Sequence, residues 1–226
     1  MAGHYVIFEG PDLVGKSTTM HLVAEELRKT IKNYNIVETY HPGSTPLGAH
    51  LRKLVKFPHQ IDPEIQIDNL SRQMLYMVDT VSFIKLKLEP LLKLDTIILS
   101  DRSSFISAMA YGIADGLKYA DIKKLFDIVD TPQADRVYVL QCPHNVLEQR
   151  RDTSRDQTDH YDKKDIDFKL KLASIYNNLI VESSEQLSIV QKIVDVNNLK
   201  YINANRPSIN IVNDIVDDIS KLVCCS

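Results

Sequence analysis

An α/β fold, with a central parallel sheet covered by helices on both faces, is predicted by three observations. Strand-like and helix-like stretches alternate along the whole chain. Gly10-Pro11-Asp12-Leu13-Val14-Gly15-Lys16-Ser17 fits G-x-x-x-x-G-K-[ST], the phosphate-binding loop that joins a strand to a helix. The apolar run 96–100 delivers Asp101-Arg102 at its C-terminal end, which is where open α/β sheets bind their ligands.

Residues 5–8 are apolar, β-branched or aromatic and read as the first strand. A helix is predicted over 18–32, with Met20, Leu22, Val23, Leu27 and Ile31 at helical spacing. The second strand is 36–40, broken by two prolines and a glycine in residues 41–46. Thr45 is a candidate cap and Pro46 a first-turn residue for a helix over 47–55. A long helix is expected over 63–92, with Leu70, Met74, Met77, Val81, Ile84 and Leu88 on one side and Pro90 as terminator. The buried strand 96–100 precedes helical stretches at 104–111 and 121–129, a strand at 136–141 and a helix at 145–151. Residues 152–164 are almost wholly polar and read as a mobile surface loop before a helix at 165–182. Residues 183–198 carry no decisive pattern, 200–203 is a candidate last strand, and 207–222 a closing amphipathic helix. No repeat or linker divides residues 1–226, so one domain is expected.

Composition narrows the function classes. Apolar residues at 44% and charged ones at 25% suit a soluble globular chain. A net charge of −3 argues against a nucleic-acid binder driven by bulk electrostatics. No apolar run approaches the roughly 18 residues of a membrane span, and the N-terminus runs straight into a strand, so neither membrane nor signal segment is expected. Cys142, placed in a predicted buried strand, and Cys224 and Cys225 at the C-terminus lack metal-ligand spacing; a reducing, cytoplasmic compartment is expected.

The loop's chemistry points to a nucleotide. Glycines let backbone N–H groups turn inward around phosphate oxygens, and the helix start adds its positive end. Gly10, Val14, Gly15, Lys16, Ser17 and Thr18 are the candidate donor-nucleotide residues, with Lys16 reaching the β/γ-phosphates and Ser17 able to ligate Mg²⁺.

Several sites together resemble the thymidylate kinase family, from Phe8 to about Val216. Phe8-Glu9-Gly10-Pro11-Asp12 with Gly15-Lys16-Ser17-Thr18 resembles F-E-G-x-[DE]-x-x-G-K-[ST]-T, Pro42-Gly43-Ser44-Thr45-Pro46-Leu47-Gly48 resembles P-G-G-T-x-x-G, and Asp101-Arg102 resembles the family's D-R pair. Ser107-x-x-Ala110-Tyr111 is similar to S-x-x-A-Y, with one extra residue after Arg102. The resemblance implies a P-loop kinase fold with a mobile lid, here residues 150–165. It also implies ATP and Mg²⁺ as cofactors, dTMP as the acceptor and a homodimer packed through helices near the acceptor site.

By resemblance, Asp12 faces the acceptor's sugar and phosphate, Arg102 grips the acceptor phosphate, and Asp101 lies near the metal with Ser17. Pro42 lies beside the acceptor, Tyr76 stacks on the base, Ser107 and Tyr111 border the deoxyribose, and Arg151 and Arg155 serve as lid arginines. Lys16, Arg102, Arg151, Arg155 and Asp12 form the expected catalytic set. Blander readings stand beside these: an Asx turn for Asp12, a surface ion pair for Asp101-Arg102, a core tyrosine for Tyr76, a solvated charged face for Arg150-Arg151-Asp152.

The departures bear on specificity. Thr80 stands where the family has an arginine that donates to the thymine O4 region, and His41 where many bacterial members have glutamate. Asp159-His160-Tyr161-Asp162 lacks one lid arginine, and Leu13 replaces an arginine or glycine. An acceptor other than dTMP, including a 5-modified pyrimidine, therefore stays open, as do a deoxynucleoside kinase and a nucleotide-binding protein without turnover.

Overall fold

The computed structural model describes residues 3–151, 160–161, 163–181 and 185–224. Five strands, β1 (His4–Glu9), β2 (Asn35–Tyr40), β3 (Thr96–Asp101), β4 (Arg136–Gln141) and β5 (Leu199–Asn203), form one sheet in the order β2-β3-β1-β4-β5. Every pairing is parallel, as the alternation of strands and helices predicts. In chain order the helices are α1 (Lys16–Thr30), α2 (Pro46–Lys56), α3 (Pro58–Ile61), α4 (Asn69–Phe83), α5 (Glu89–Leu92), α6 (Ser104–Ala114), α7 (Tyr119–Asp127), α8 (His144–Arg151), α9 (Ile166–Asn177), α10 (Leu187–Ile193) and α11 (Ser208–Cys224).

The strands are apolar on both sides because both faces are covered. Tyr5, Ile7, Ile98, Val137 and Val139 join one core with residues of α4, α6, α7, α9 and α10. Their neighbours Val6, Phe8, Ile97, Leu99, Tyr138 and Leu140 join a second core with α1 and α11. The period-two alternation of the strands thus divides the interior into two layers.

Three expectations need correction. The long helix starts at Asn69, where Asp68 caps it by accepting from the N–H groups of Leu70 and Ser71 at 2.9 Å. Pro90 does not end it outright. The helix passes through a π-helical turn, Ile84–Leu88, and Pro90 lies in the first turn of α5, which runs on to Leu92. A proline cannot donate to the carbonyl four residues back and its ring crowds that carbonyl, so a widened turn immediately upstream relieves both problems. Cys142 lies just beyond β4 and is half-buried, because the strand stops at Gln141. The undecided stretch 183–198 contains α10 and a 3₁₀ turn, Val196–Asn198.

The apolar stripe of the long helix divides between two environments. Met77, Ile84 and Leu88 are buried, whereas Leu70, Met74, Val78, Val81 and Leu86 are exposed. Cys142 and Cys224 are free, and among the described residues no helix is long and apolar enough to cross a membrane.

Thr45 caps α2 as its position predicts, accepting from the Gly48 N–H at 3.0 Å and contacting Ser82 Oγ at 2.9 Å. Thr45→Ala removes both bonds and should lower stability by about 1–2 kcal/mol, read as a lower urea midpoint with unchanged slope.

Candidate active site

β1 and β3 are adjacent, with Phe8 opposite Asp101, so the two chain segments leaving their C-terminal ends emerge side by side. The Arg102 N–H extends this pairing by one bond to the Phe8 carbonyl, 2.9 Å. The segments beyond are the 10–17 loop and Asp101-Arg102, which meet at the rim where the strand order reverses.

The loop has the backbone that phosphate binding requires. Gly10, Leu13 and Gly15 all have positive φ, and a Cβ on Gly10 would lie 2.4 Å from the Leu140 carbonyl oxygen. Gly15 precedes α1 with no side-chain cap, which leaves the first-turn N–H groups to an anion. Lys16 is buried and its ammonium donates to the Pro11 carbonyl at 2.7 Å. Burial, reinforced by the neighbouring Arg102 cation, pushes its pKa down from 10.5 to about 8, against the pull of Asp12, Asp101 and Glu9. Arg150 of α8 braces the loop from outside, donating to the carbonyls of Leu13 at 3.3 Å and Val14 at 3.0 Å.

Ser17 Oγ donates to Asp101 Oδ2, while Asp101 Oδ1 is buried and has no hydrogen-bond partner among the described residues. A hydroxyl and a carboxylate beside the loop suit a hard cation such as Mg²⁺, which takes few protein ligands alongside substrate phosphates.

Arg102, itself at a left-handed φ of 79°, reaches across the cleft. Nη2 donates to Asp12 Oδ1 at 2.6 Å and to the Tyr111 hydroxyl at 3.2 Å. Nη1 donates to the Gly10 carbonyl at 3.1 Å and to the hydroxyls of Ser107 and Tyr176, both at 3.2 Å. Tyr111 completes the group by donating to Asp12 Oδ2 at 2.7 Å. Burial alone would raise the Asp12 carboxyl, but Arg102 and Lys16 outweigh it and hold the group well below the usual carboxylate range.

One cleft of about 980 Å³ gathers these groups. Of the sequence-predicted residues it is lined by Asp12, Val14, Gly15, Lys16, Ser17, Thr18, Pro42, Tyr76, Asp101, Arg102, Ser107 and Tyr111. Gly10 stands just behind it, its carbonyl held by Arg102. Thr80 is not among the lining residues: fully buried, it donates its hydroxyl proton to the Tyr76 carbonyl at 2.8 Å. Arg155 lies outside the described residues; Arg151 ends α8, and its side chain lies outside them too.

Other residues enter the site that sequence reasoning left without a role. Asp79, one position before Thr80, lines the cleft and holds the 41–43 turn, through His41 Nδ1 at 3.0 Å and the Gly43 N–H at 3.2 Å. A glycine is required at 48, since a Cβ there would lie 2.1 Å from Asp79 Oδ1. Arg52 lines the cleft from α2, donating to the Pro42 carbonyl at 2.7 Å. Tyr161 packs between Tyr111 and Phe168, with ring centroids 4.6 and 5.8 Å away. A helical i, i+4 pattern places Arg52 and Lys56 on one face, the signal available for α2; Asp79 and Tyr161 carry no comparable local mark.

A phosphate loop, a hydroxyl–carboxylate pair beside it and an arginine facing it across one cleft define a P-loop nucleotide kinase. The sequence matches the family model for thymidylate kinase over residues 8–211, and the chain belongs to the thymidylate kinase family. It is 29% identical over 177 residues to the thymidylate kinase of Caldicellulosiruptor saccharolyticus, covering 78% of this chain and 81% of that protein. With the thymidylate kinase of Exiguobacterium sibiricum it shares 27% identity over 194 residues, 84% of this chain and 87% of the relative. The fold matches the crystal structure of the Ehrlichia chaffeensis thymidylate kinase with a TM-score of 0.67 at 18% identity, over 97% of this chain and 99% of that one.

Because the Lys16 pKa falls to about 8, the ligand-free protein loses this positive charge as pH rises through that value. Affinity for a non-hydrolysable triphosphate analogue, measured calorimetrically from about pH 7 to about 9.5, should therefore fall with rising pH. In Lys16→Met the same titration should be weak and flat.

Proposed function

We propose that this chain transfers the γ-phosphoryl group of ATP to dTMP, giving dTDP and ADP. The observation that carries this reading is the placement of Lys16 and Arg102 in one cleft, both close enough to Asp12 to hold its carboxyl ionised. Two nucleotides carry their charge on phosphates, and a cleft that joins a phosphate loop to a guanidinium can hold both chains of oxygens in line.

In the proposed division of labour, the loop N–H groups and Lys16 hold the donor phosphates, with Gly10, Val14, Gly15, Ser17 and Thr18 forming the cradle. Arg102 takes the acceptor phosphate, and Asp12 with Tyr111 and Ser107 borders the sugar. Pro42 and Tyr76 wall the base. Ser17 and Asp101 would hold Mg²⁺, which offsets phosphate charge when bound. An acceptor phosphate oxygen attacks the γ-phosphorus directly, the bond to the β,γ-bridging oxygen breaks, and ADP leaves with that electron pair. No protein nucleophile intervenes, so positioning and charge neutralisation supply the rate. Arg151 and Arg155 are proposed to close over the transferring group within a lid spanning residues 150–165 of one domain, 1–226.

A product assay with ATP and the common deoxynucleoside monophosphates, thymidine included, tests this reading. Turnover should require the 5′-phosphate and be highest with dTMP; phosphorylation of thymidine but not dTMP would overturn it. Lys16→Ala should reduce turnover by at least about 100-fold while the circular dichroism spectrum is unchanged.

We also propose a homodimer, and a cytoplasmic setting in keeping with the free thiols. Leu47 of α2, the exposed stripe of α4 and Leu86 lie with Ile128 around a shallow apolar groove. Leu86 is 69% and Ile128 80% exposed, so the groove presents apolar side chains to solvent. A second copy, presenting the same stripe about a twofold axis, would cover it. Val78→Asp should convert a dimer to a monomer in sedimentation; a wild-type monomer at high concentration would contradict the proposal.

A further inference from the structure

Glu9 ends the central strand with a fully buried carboxyl group, a costly placement unless its oxygens are satisfied. They are satisfied by the Ser103 N–H at 2.6 Å, by Ser107 Oγ at 2.9 Å and by the Tyr176 hydroxyl at 3.1 Å. Burial pushes the Glu9 carboxyl up, and the Arg102 cation, 3.9 Å away, opposes that shift.

Tyr176 belongs to α9, the helix that follows the lid segment, and its ring is fully buried. Its hydroxyl does two things at once. It donates to Glu9 Oε2 and accepts from Arg102 Nη1 at 3.2 Å. Donating to the Glu9 carboxyl polarises the hydroxyl and makes its oxygen a better acceptor, so the bond to Glu9 strengthens the hold on the guanidinium. Neither Glu9 nor Tyr176 lines the cleft, whereas Arg102 does. Any effect of Tyr176 on substrate must therefore pass through Arg102, or through Ser107, whose Oγ lies 3.1 Å from the same hydroxyl.

The geometry points to a new role: we infer that Tyr176 is a positioning residue, fixing Nη1 of the Arg102 guanidinium against the buried Glu9 carboxyl so that Nη2, on the Asp12 and Tyr111 side, is presented to the acceptor's 5′-phosphate. The inference rests on Arg102 being the ligand of that phosphate. It also links α9 to the phosphate grip by one hydrogen bond.

Tyr176→Phe is the direct test, because the ring that fills the core is retained and only the hydroxyl is lost. The KM for dTMP should rise about 10-fold or more, in line with a lost hydrogen bond to a charged group, with the KM for ATP unchanged. Thymidine, which has no phosphate, should bind the variant as it binds the wild type, measured as a competitive inhibitor of dTMP. Equal weakening of dTMP and thymidine would mean a distorted pocket and overturn the inference, and so would an unchanged dTMP KM. If Tyr176→Phe does not fold, Glu9→Gln, which keeps an acceptor oxygen but removes the carboxyl group, is read by the same dTMP-against-thymidine comparison. Arg102→Ala separates the two levels: a variant with normal dTMP KM removes the underlying reading. A defective Arg102→Ala beside a normal Tyr176→Phe removes the positioning role alone.

Discussion

The parallel pairing of β1 with β3 is the constraint on which this site depends. Setting Phe8 opposite Asp101 brings two segments more than ninety positions apart in sequence to one rim, with a further backbone bond to Arg102 locking the last step. A slip of one residue would turn Asp101 to the opposite face and separate it from Ser17. Both faces of these strands are buried in apolar cores, so the register is held by packing on two sides. Chemistry at the rim is thus specified by the interior of the sheet.

Charge balance is the second organising feature. Lys16 and Arg102 are surrounded by Asp12, Glu9 and Asp101, so the cations of the site already have anionic partners within the protein. Asp12 is the half-buried partner of the Arg102 guanidinium, whereas Glu9 is sealed beneath. The two carboxyls thus differ in depth, one fully enclosed and the other bordering the cleft. Two carboxyls near one arginine need not share one role.

Local pattern made the strands, the phosphate loop, the Thr45 cap and the Asp101-Arg102 pair readable, because each depends on neighbours in sequence or on the end of a strand. The start of α4 was less legible: Asp68 is an ordinary polar residue until its carboxylate meets two free N–H groups. Tyr176 lies on the apolar stripe of α9 with Phe168 and Leu172, and periodicity gives the ring but not the errand of its hydroxyl. Its partner Glu9 is 167 positions away. Thr80 shows the complementary failure, since alignment gives a place on the helix while its hydroxyl is already committed to the turn behind it. Ile84 and Val81 carry similar hydropathy, and only the tertiary packing decides that one is buried and the other exposed.

The contact between Gly48 and Asp79 has a mechanical consequence. With no room for even a methyl group between them, α2 and α4 touch backbone to side chain, and the 41–43 turn is tied to the same carboxylate. One carboxylate therefore ties helix, helix and turn together on that side of the cleft, so that lengthening residue 48 would disturb all three at once.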